Sequence, residues 1–376
     1  MSDSEYQLNF KTDDNDEKYF VAFSYLAIKP LIKSKLFEYF DFDIKKAWCA
    51  TKEELALFCE KTQIALPKNY FSLKNKIDVE NCYKEALSDK EIKILTYNNE
   101  KYPPLLKEIP DFPLMLYYKG DIETISYDYA LAIVGSRNAS TTAKLALNGI
   151  VSAFRSSNIT IVSGLAYGID AQAHKSAIEN NLKTIAVIGS GLDFTYPAQN
   201  KNLYDEIIKG AGVIFSEYPA SVPPMSHNFP QRNRIVVGIS KGTLVAEAQL
   251  KSGAMISANL TLDYNRELIC MPGNIINPNT QGIYHLIRNG AGIATNAQDI
   301  LNQMNWDFKP VEDESVNLEL DDIQKRILDI IAIEPKSFDE IINEAKEDVS
   351  DLMVALTTLE VNGLIHQANN KYYKCK

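Results

Sequence analysis

Residues Ala130–Ser140 read ALAIVGSRNAS, and this stretch decides the fold class. The run ALAIV is apolar without a break, as in a strand buried on both faces. Gly135 ends it, and an amphipathic pattern over 139–154 follows, so a strand hands over to a helix through a short loop. Such a loop aims backbone N–H groups and the positive end of a helix at one point, which suits a phosphate. The device recurs along the chain. The strand-like runs LAIV, ITIV, TIAVIG, GVIF, GTLV and ELICM alternate, from about Tyr129 to Asn302, with helical patterns at 139–154, 168–181, 200–209 and 252–263. This alternation predicts an α/β fold built on a doubly wound parallel sheet. Ligands of such sheets sit beyond the carboxyl ends of the strands. There the loops GSRNAS, SGLAYGID, GSGLDFTYP and SEYPASVPPMSHNFPQRNR collect.

The chain has 376 residues, 45% hydrophobic and 23% charged, enough to fill the cores of two or three domains. No apolar run approaches the roughly 20 residues of a membrane span, and the acidic start is unlike a signal peptide, so a soluble cytoplasmic protein is expected. Five scattered cysteines and four histidines include no C-x-x-C pair, which speaks against a disulfide frame or a metal site. The net charge of -10 is unevenly spread: -4 over 1–20, -1 over 21–130, +3 over 131–300 and -8 over 301–376. Exposed charges are screened beyond roughly 8–10 Å at ordinary salt, so acidic ends leave room for an anion site on the basic middle.

Residues 1–18 read as an acidic disordered tail. Residues 19–90, with FVAFSYLAIKPLIKSKLFEYF and TKEELALFCEKTQ, read as a small helical domain. The core spans 91–304 and is entered by a connector whose Pro103, Pro104, Pro110 and Pro113 forbid a long helix. A charged linker at 305–318 leads to 319–376, where three helical patterns and a hairpin around Asn369-Asn370 spell a winged helix. Its would-be recognition helix, 346–360, sets Lys346 against Glu347, Asp348, Asp351 and Glu360. Duplex phosphates repel such a surface, so the domain reads as a protein-contact or spacer module.

The loop after LAIV lacks the G-x-G-x-x-G of a dinucleotide site, having Gly135 and then Arg137, so no nicotinamide or flavin cofactor is expected. Arg137 beside exposed amides suits phosphate, which arginine grips bidentately. In IVSGLAYGIDAQAHKSAI, Ser163 and Gly164 end a strand, and Gly168, Asp170 and His174 enter a helix. His174 has no matched cysteine or base nearby and reads as a packed helix residue, with Asp170 as an anion at the helix start. Gly189 and Gly191 repeat the strand-glycine-helix device. In NFPQRNRIVVGIS, Arg232 and Arg234 flank Asn233 at a helix opening, with Phe229 just ahead. Guanidiniums beside an aromatic ring suit a single-stranded backbone with splayed bases. One of the two arginines is expected to pair instead with a buried acid such as Glu217 or Glu247. No paired carboxylates, Ser-His-Asp set or metal cluster assembles, so the sheet reads as a binder with no catalytic residue.

These motifs resemble the DprA, or Smf, family of DNA-processing proteins. The resemblance covers about Ile94 to Leu301, through YPPLLKEIPDFPLMLYYKG, IVGSR, SGLAYGID, GSGLDFTYPAQN, SEYP, FPQRNRIVVGIS, SGAMISA and MPG. It implies an extended Rossmann core flanked by a SAM-like or helix-hairpin-helix domain and a winged helix. It also implies homodimerisation, sequence-tolerant binding of single-stranded DNA, and loading of the RecA recombinase in natural transformation. By resemblance Gly135, Ser136 and Arg137 meet backbone phosphate. Ser163, Gly164, Gly189, Gly191, Arg232, Asn233, Arg234, Ser252 and Gly253 line the groove, Phe229 stacks on or packs near a base, and Lys241 adds charge. Three positions depart from the family pattern: Tyr284 replaces an asparagine, Ser226 stands where some relatives carry lysine, and LAIKPLIKSKL lacks a glycine-rich DNA-contacting hairpin.

An enzymatic alternative rests on KGTLVAEAQLKSG, which is similar to the G-T-x-x-E element of LOG-type nucleoside-monophosphate phosphoribohydrolases. Those enzymes carry P-G-G-x-G-T, whereas here Ile239-Ser240-Lys241 precedes Gly242-Thr243.

Overall fold

The run Ala130–Gly135 forms the central strand of a nine-stranded sheet in the computed structural model, which describes residues 16–311, 321–361, 364–368 and 370–374. Most of the expected acidic tail and half of the charged linker lie outside the described residues. The described ends of both stretches belong to the first unit's fold. A helix starts at Glu17, and Trp306 and Phe308 pack edge-on against Tyr129. The chain divides into two compact units, Met1–Pro310 and Val311–Lys376.

The first unit opens with short helices: α1 (Glu17–Tyr25), α2 (Pro30–Tyr39), α3 (Ile44–Cys49), α4 (Lys52–Thr62), α5 (Tyr70–Lys74) and α6 (Val79–Ala86). Their starts are written in the sequence. The Asp43 and Asp78 side chains accept from backbone N–H groups of α3 and α6, and Thr51 with Glu54 forms a capping box on α4. Phe20, Phe23, Phe37, Trp48 and Phe58 fill the space between them, and this core runs without a break into that of the sheet.

The proline-rich connector supplies β1 (Lys93–Thr96) and β2 (Met115–Gly120), an antiparallel pair at one edge. The alternating pattern then gives β3 (Ala130–Gly135), α7 (Thr141–Ser152), β4 (Thr160–Ser163), α8 (Ile169–Glu179), β5 (Lys183–Ile188) and α9 (Lys201–Glu206). It continues with β6 (Gly212–Ser216), α10 (Asn228–Ile239), β7 (Gly242–Glu247), α11 (Gly253–Asp263), β8 (Glu267–Cys270), α12 (Gln281–Arg288), β9 (Gly292–Ile293) and α13 (Ala297–Met304). The strand order is β1-β2-β6-β5-β4-β3-β7-β8-β9, parallel from β6 through β9, with β2 antiparallel to β6. Side chains alternate faces along a strand. Leu131 and Ile133 therefore join the core under α7 and α8, while Ala130, Ala132 and Val134 join the opposite one. Both faces are covered, as the unbroken apolar run requires. The order turns back at β3, whose neighbours β4 and β7 lead away in opposite directions. The crevice of a doubly wound sheet opens at such a switch point.

The second unit is a winged helix with α14 (Asp322–Ile333), α15 (Phe338–Ala345), α16 (Val349–Val361) and the hairpin β10 (Ile365–Ala368) and β11 (Lys371–Lys374). Asp321 with Gln324, and Ser337 with Glu340, form capping boxes on α14 and α15. Ile327, Ile331, Ile341, Leu352, Leu356 and Leu359 make its own core. One boundary is corrected. Lys346 takes left-handed backbone, φ 54°, at the end of α15, so α16 starts at Val349 and contains no lysine or arginine.

Candidate nucleic-acid interface

A cleft of about 600 Å³ opens at the switch point, between the loop that follows β3 and the loop that follows β7. Its wall is built first by close backbone approaches. Gly168 precedes α8 with φ 76°, and a Cβ there would strike the Ser136 and Arg137 carbonyl oxygens. Without a side chain it lets the Ser136–Asn138 loop lie on the start of α8, where the Ile169 N–H donates to the Ser136 carbonyl at 3.1 Å. Glu247, at the end of β7, holds the other side of that loop. Its carboxylate accepts from the Ser140 N–H at 3.0 Å, the Ser140 hydroxyl at 2.7 Å and the Asn277 amide at 3.0 Å. The Ser140 hydroxyl in turn accepts from the Ala143 N–H and caps α7.

The floor is aromatic and cationic. The rings of Tyr196 and Phe229 lie 5.3 Å apart at 35°, and the Arg137 guanidinium sits 5.7 Å from the centre of the Phe229 ring. Arg137 is otherwise exposed to solvent. Arg232 enters from α10 with 5% of its surface exposed, and its Nη2 donates to the Gly164 carbonyl at 2.8 Å. Any side chain at position 164 would occupy the space of that guanidinium. Among the described residues no carboxylate forms an ion pair with Arg232, and its Nε has no hydrogen-bond partner. Burial pulls its pKa below the ordinary arginine value, with Asp170 opposing from beyond ion-pair distance. The same burial raises Asp170 against the pull of Arg232. A desolvated, incompletely satisfied guanidinium at a cleft wall is stabilised by any anion that reaches it.

The expected site residues separate into groups. Gly135, Ser136, Arg137, Phe229, Arg232, Asn233, Ser252 and Gly253 line the cleft together, and the Asn233 amide donates to the Gly253 carbonyl at 3.3 Å. Gly164 lies beneath Arg232, and Gly189 backs the Phe229 ring. Gly191 does not reach the cleft and instead lies against the Pro219 and Ala220 backbone. Ser163 is fully buried and donates to the Ile133 carbonyl at 2.6 Å, tying β4 to β3. Arg234 lies outside the cleft because two helical residues are separated by about 200°, which sends it to the opposite face of α10. There its Nη2 donates to both Glu217 oxygens at 2.6 Å and its Nε lies 3.4 Å from Asp111. Burial works against that charge, but the two carboxylates outweigh it and raise its pKa. Lys241 precedes β7 and so stands at the amino end of the sheet, 5.9 Å from the Tyr129 ring and away from the cleft.

Tyr196 and Asn138 also line the cleft; they sit in two of the loops expected at the strand ends but were not among the expected site residues. The exposed Tyr196 in FTYP was the available signal. Ser226 lines the cleft, and the Tyr284 hydroxyl donates to the Gly273 carbonyl. His174 is a packed residue: its Nδ1 lies 2.7 Å from the Thr184 hydroxyl, and burial holds its pKa down at about 3. Glu247, the residue a phosphoribohydrolase would need free, is committed to Ser140 and Asn277.

The model of the family "DNA recombination-mediator protein A" matches residues 93–305, and that of the DprA winged helix domain matches residues 311–371. The chain belongs to the DprA/Smf family. It is 32% identical to Protein Smf of Escherichia coli over 75% of this chain and 77% of that one. It is 30% identical to Protein Smf of Synechocystis over 96% of this chain and 99% of that one. Among solved structures, DNA processing protein A of Streptococcus pneumoniae superposes with a TM-score of 0.64 at 31% identity, covering 77% of this chain and 98% of that one. The Helicobacter pylori protein, whose structure is described for its single-stranded DNA binding mode, superposes with a TM-score of 0.51 at 29% identity, covering 58% of this chain and 97% of that one. The family is one of DNA-processing mediators, not of catalysts. No helix among the described residues is long and apolar enough to cross a membrane.

Proposed function

We propose that the cleft holds single-stranded DNA without strong sequence preference, and that the bound strand is protected and passed to a RecA-type recombinase in the cytoplasm during natural transformation. The observation that carries this reading is Arg232, buried in the cleft wall without a carboxylate partner, beside the exposed cation of Arg137 and the Tyr196–Phe229 rings. A backbone phosphate between the two guanidiniums satisfies both. An unpaired base next to that phosphate lies on the aromatic floor, and every base has a face that stacks, so sequence matters little. A paired base cannot present that face. The relative from Helicobacter pylori, studied for single-stranded DNA binding, supports the same reading.

As a homodimer the protein presents two such clefts to one strand, which raises its hold on long DNA more than on short. The test is anisotropy titration of labelled single- and double-stranded oligonucleotides across salt. Expected are nanomolar-to-micromolar affinity for single strands, much weaker duplex binding, and a log-log salt slope of roughly -0.7 for each phosphate contact. Equal affinity for the two DNA forms would overturn the reading.

A further inference from the structure

A second cavity, about 530 Å³, lies on the other side of the start of α10, between that helix, the loop after β6 and the turn joining α1 to α2. The first turn of α10 is the partition. Phe229 and Arg232 face the DNA cleft, whereas Asn228 and Gln231 face this cavity. A helix is only about 10–12 Å across with its side chains, so the two spaces are neighbours.

The lining has three parts. Tyr25, Tyr218, Pro30 and Pro219 give flat apolar walls. Lys29, the residue just before α2, and Lys33, in its first turn, bring two cations to the lining. Glu217 also lines the cavity and partly offsets the effect of burial on Lys33, but both its oxygens are engaged by Arg234, and Lys33 forms no ion pair among the described residues. Burial pulls the Lys33 ammonium down to about 8, so an anion entering the cavity meets a poorly solvated cation. Asn228 is the third part. It is 3% exposed, it lines the cavity, and its carboxamide has no hydrogen-bond partner among the described residues. A carboxamide offers one acceptor and two donors in a plane, the complement of a nucleobase edge.

We propose that this cavity is a nucleotide subsite, taking a base between its tyrosine and proline walls against Asn228 and a phosphate at Lys29 and Lys33. The inference deepens the single-strand reading of the adjacent cleft and rests on it for one of two sources: a further nucleotide of the same strand, or a free mononucleotide. It gives the N-terminal helices a direct part in binding through α2, with no need of a hairpin motif.

The test uses the full chain with Lys29→Glu, an exposed position that leaves the core untouched, and Lys33→Met, checked for folding by circular dichroism. Each is titrated with oligothymidylates of about four and about twelve nucleotides, within the range of single-strand site sizes, and by calorimetry with thymidine monophosphate. For a strand-borne nucleotide, both variants bind the longer oligonucleotide about tenfold more weakly, with a salt slope shallower by roughly 0.7 per lost phosphate contact, and bind the shorter one unchanged. For a free nucleotide, the monophosphate heat disappears in both variants while both oligonucleotides bind as before. Lys29→Glu behaving as wild type in every titration overturns the subsite. If the wild type binds neither oligonucleotide, the reading of the cleft fails, and the monophosphate titration still decides the cavity.

Discussion

Arg232 and Arg234 stand on opposite faces of α10, both almost wholly buried, and their surroundings differ in one respect. Arg234 lies between Glu217 and Asp111 and is compensated within the fold, although its Nη1 and Nε make no hydrogen bond. Arg232 has the Gly164 carbonyl and the pull of Asp170, with which it forms no ion pair, and is compensated only in part. Two residues of one type in one motif thus divide between holding the protein together and holding something else. Charge partners decide which is which, and residue type does not.

The largest effect belongs to the compensated face. Arg234→Met leaves Glu217 and Asp111 without their cation, and removing one member of a buried ion pair costs about 3–5 kcal/mol. Urea unfolding should show that loss, while the affinity of the remaining folded protein for single strands stays within about threefold, small beside a factor of ten per 1.4 kcal/mol. A large affinity loss with unchanged stability would erase the distinction between the faces. Arg232→Met should do the reverse. It removes a charged group from the proposed phosphate site, worth about 1.5–3 kcal/mol, or roughly 10–150-fold in affinity. Stability should fall by less than in Arg234→Met, because Arg232 forms no ion pair, although buried Asp170 loses the pull of its neighbouring cation.

The division explains what the sequence could and could not show. Strand runs and glycine-ended loops are local patterns, so β3 to β8 and the helices between them were legible, as was a winged helix from its helices and hairpin. The placing of the cleft at Gly135–Arg137 and at Arg232 follows from those loops. That both arginines could not face one cleft was also within reach, since the helical start at Asn228 fixes their angular separation. Lys241 could have been set aside likewise, because a residue before a parallel strand lies at the end away from the cleft. The role of Glu247 was not legible. Its partners Ser140 and Asn277 are 107 and 30 residues away, and the pairing of β7 with β3 on one side and β8 on the other brings them together. The same holds for Tyr196, which meets Phe229 across a gap no periodicity encodes.

The face of α10 turned to Arg234 can be sharpened by pH. Lys33 has a folded pKa near 8 against about 10.5 in the unfolded chain, so its charge is disfavoured in the fold. The penalty is fully present below pH 8 and is relieved as pH rises from 8 towards 10.5, because there the unfolded state holds the extra proton. Lys33→Met should therefore be most stabilising, relative to wild type, near pH 7, with the difference shrinking by pH 10. A difference independent of pH would mean that the ammonium is well solvated in the fold.

The smallest effect is expected where the fold name alone would promise the most. A winged helix reads duplex DNA by setting its recognition helix in the major groove, but α16 offers Met353 and Val354 to solvent, carries Asp351 and Glu360, and has no cation of its own. Glu347, just before it, is taken by Arg326. Such a surface gains nothing from phosphate and loses by approaching it. Because the two compact units divide at Pro310, a chain ending there keeps the whole sheet and cleft. Its affinity for single strands should differ from the full chain's by less than about twofold at every salt concentration, with the same salt slope, since no phosphate contact is lost. A shallower slope in the truncated chain would place cations of the second unit on the strand and make α16 the wrong surface from which to judge it.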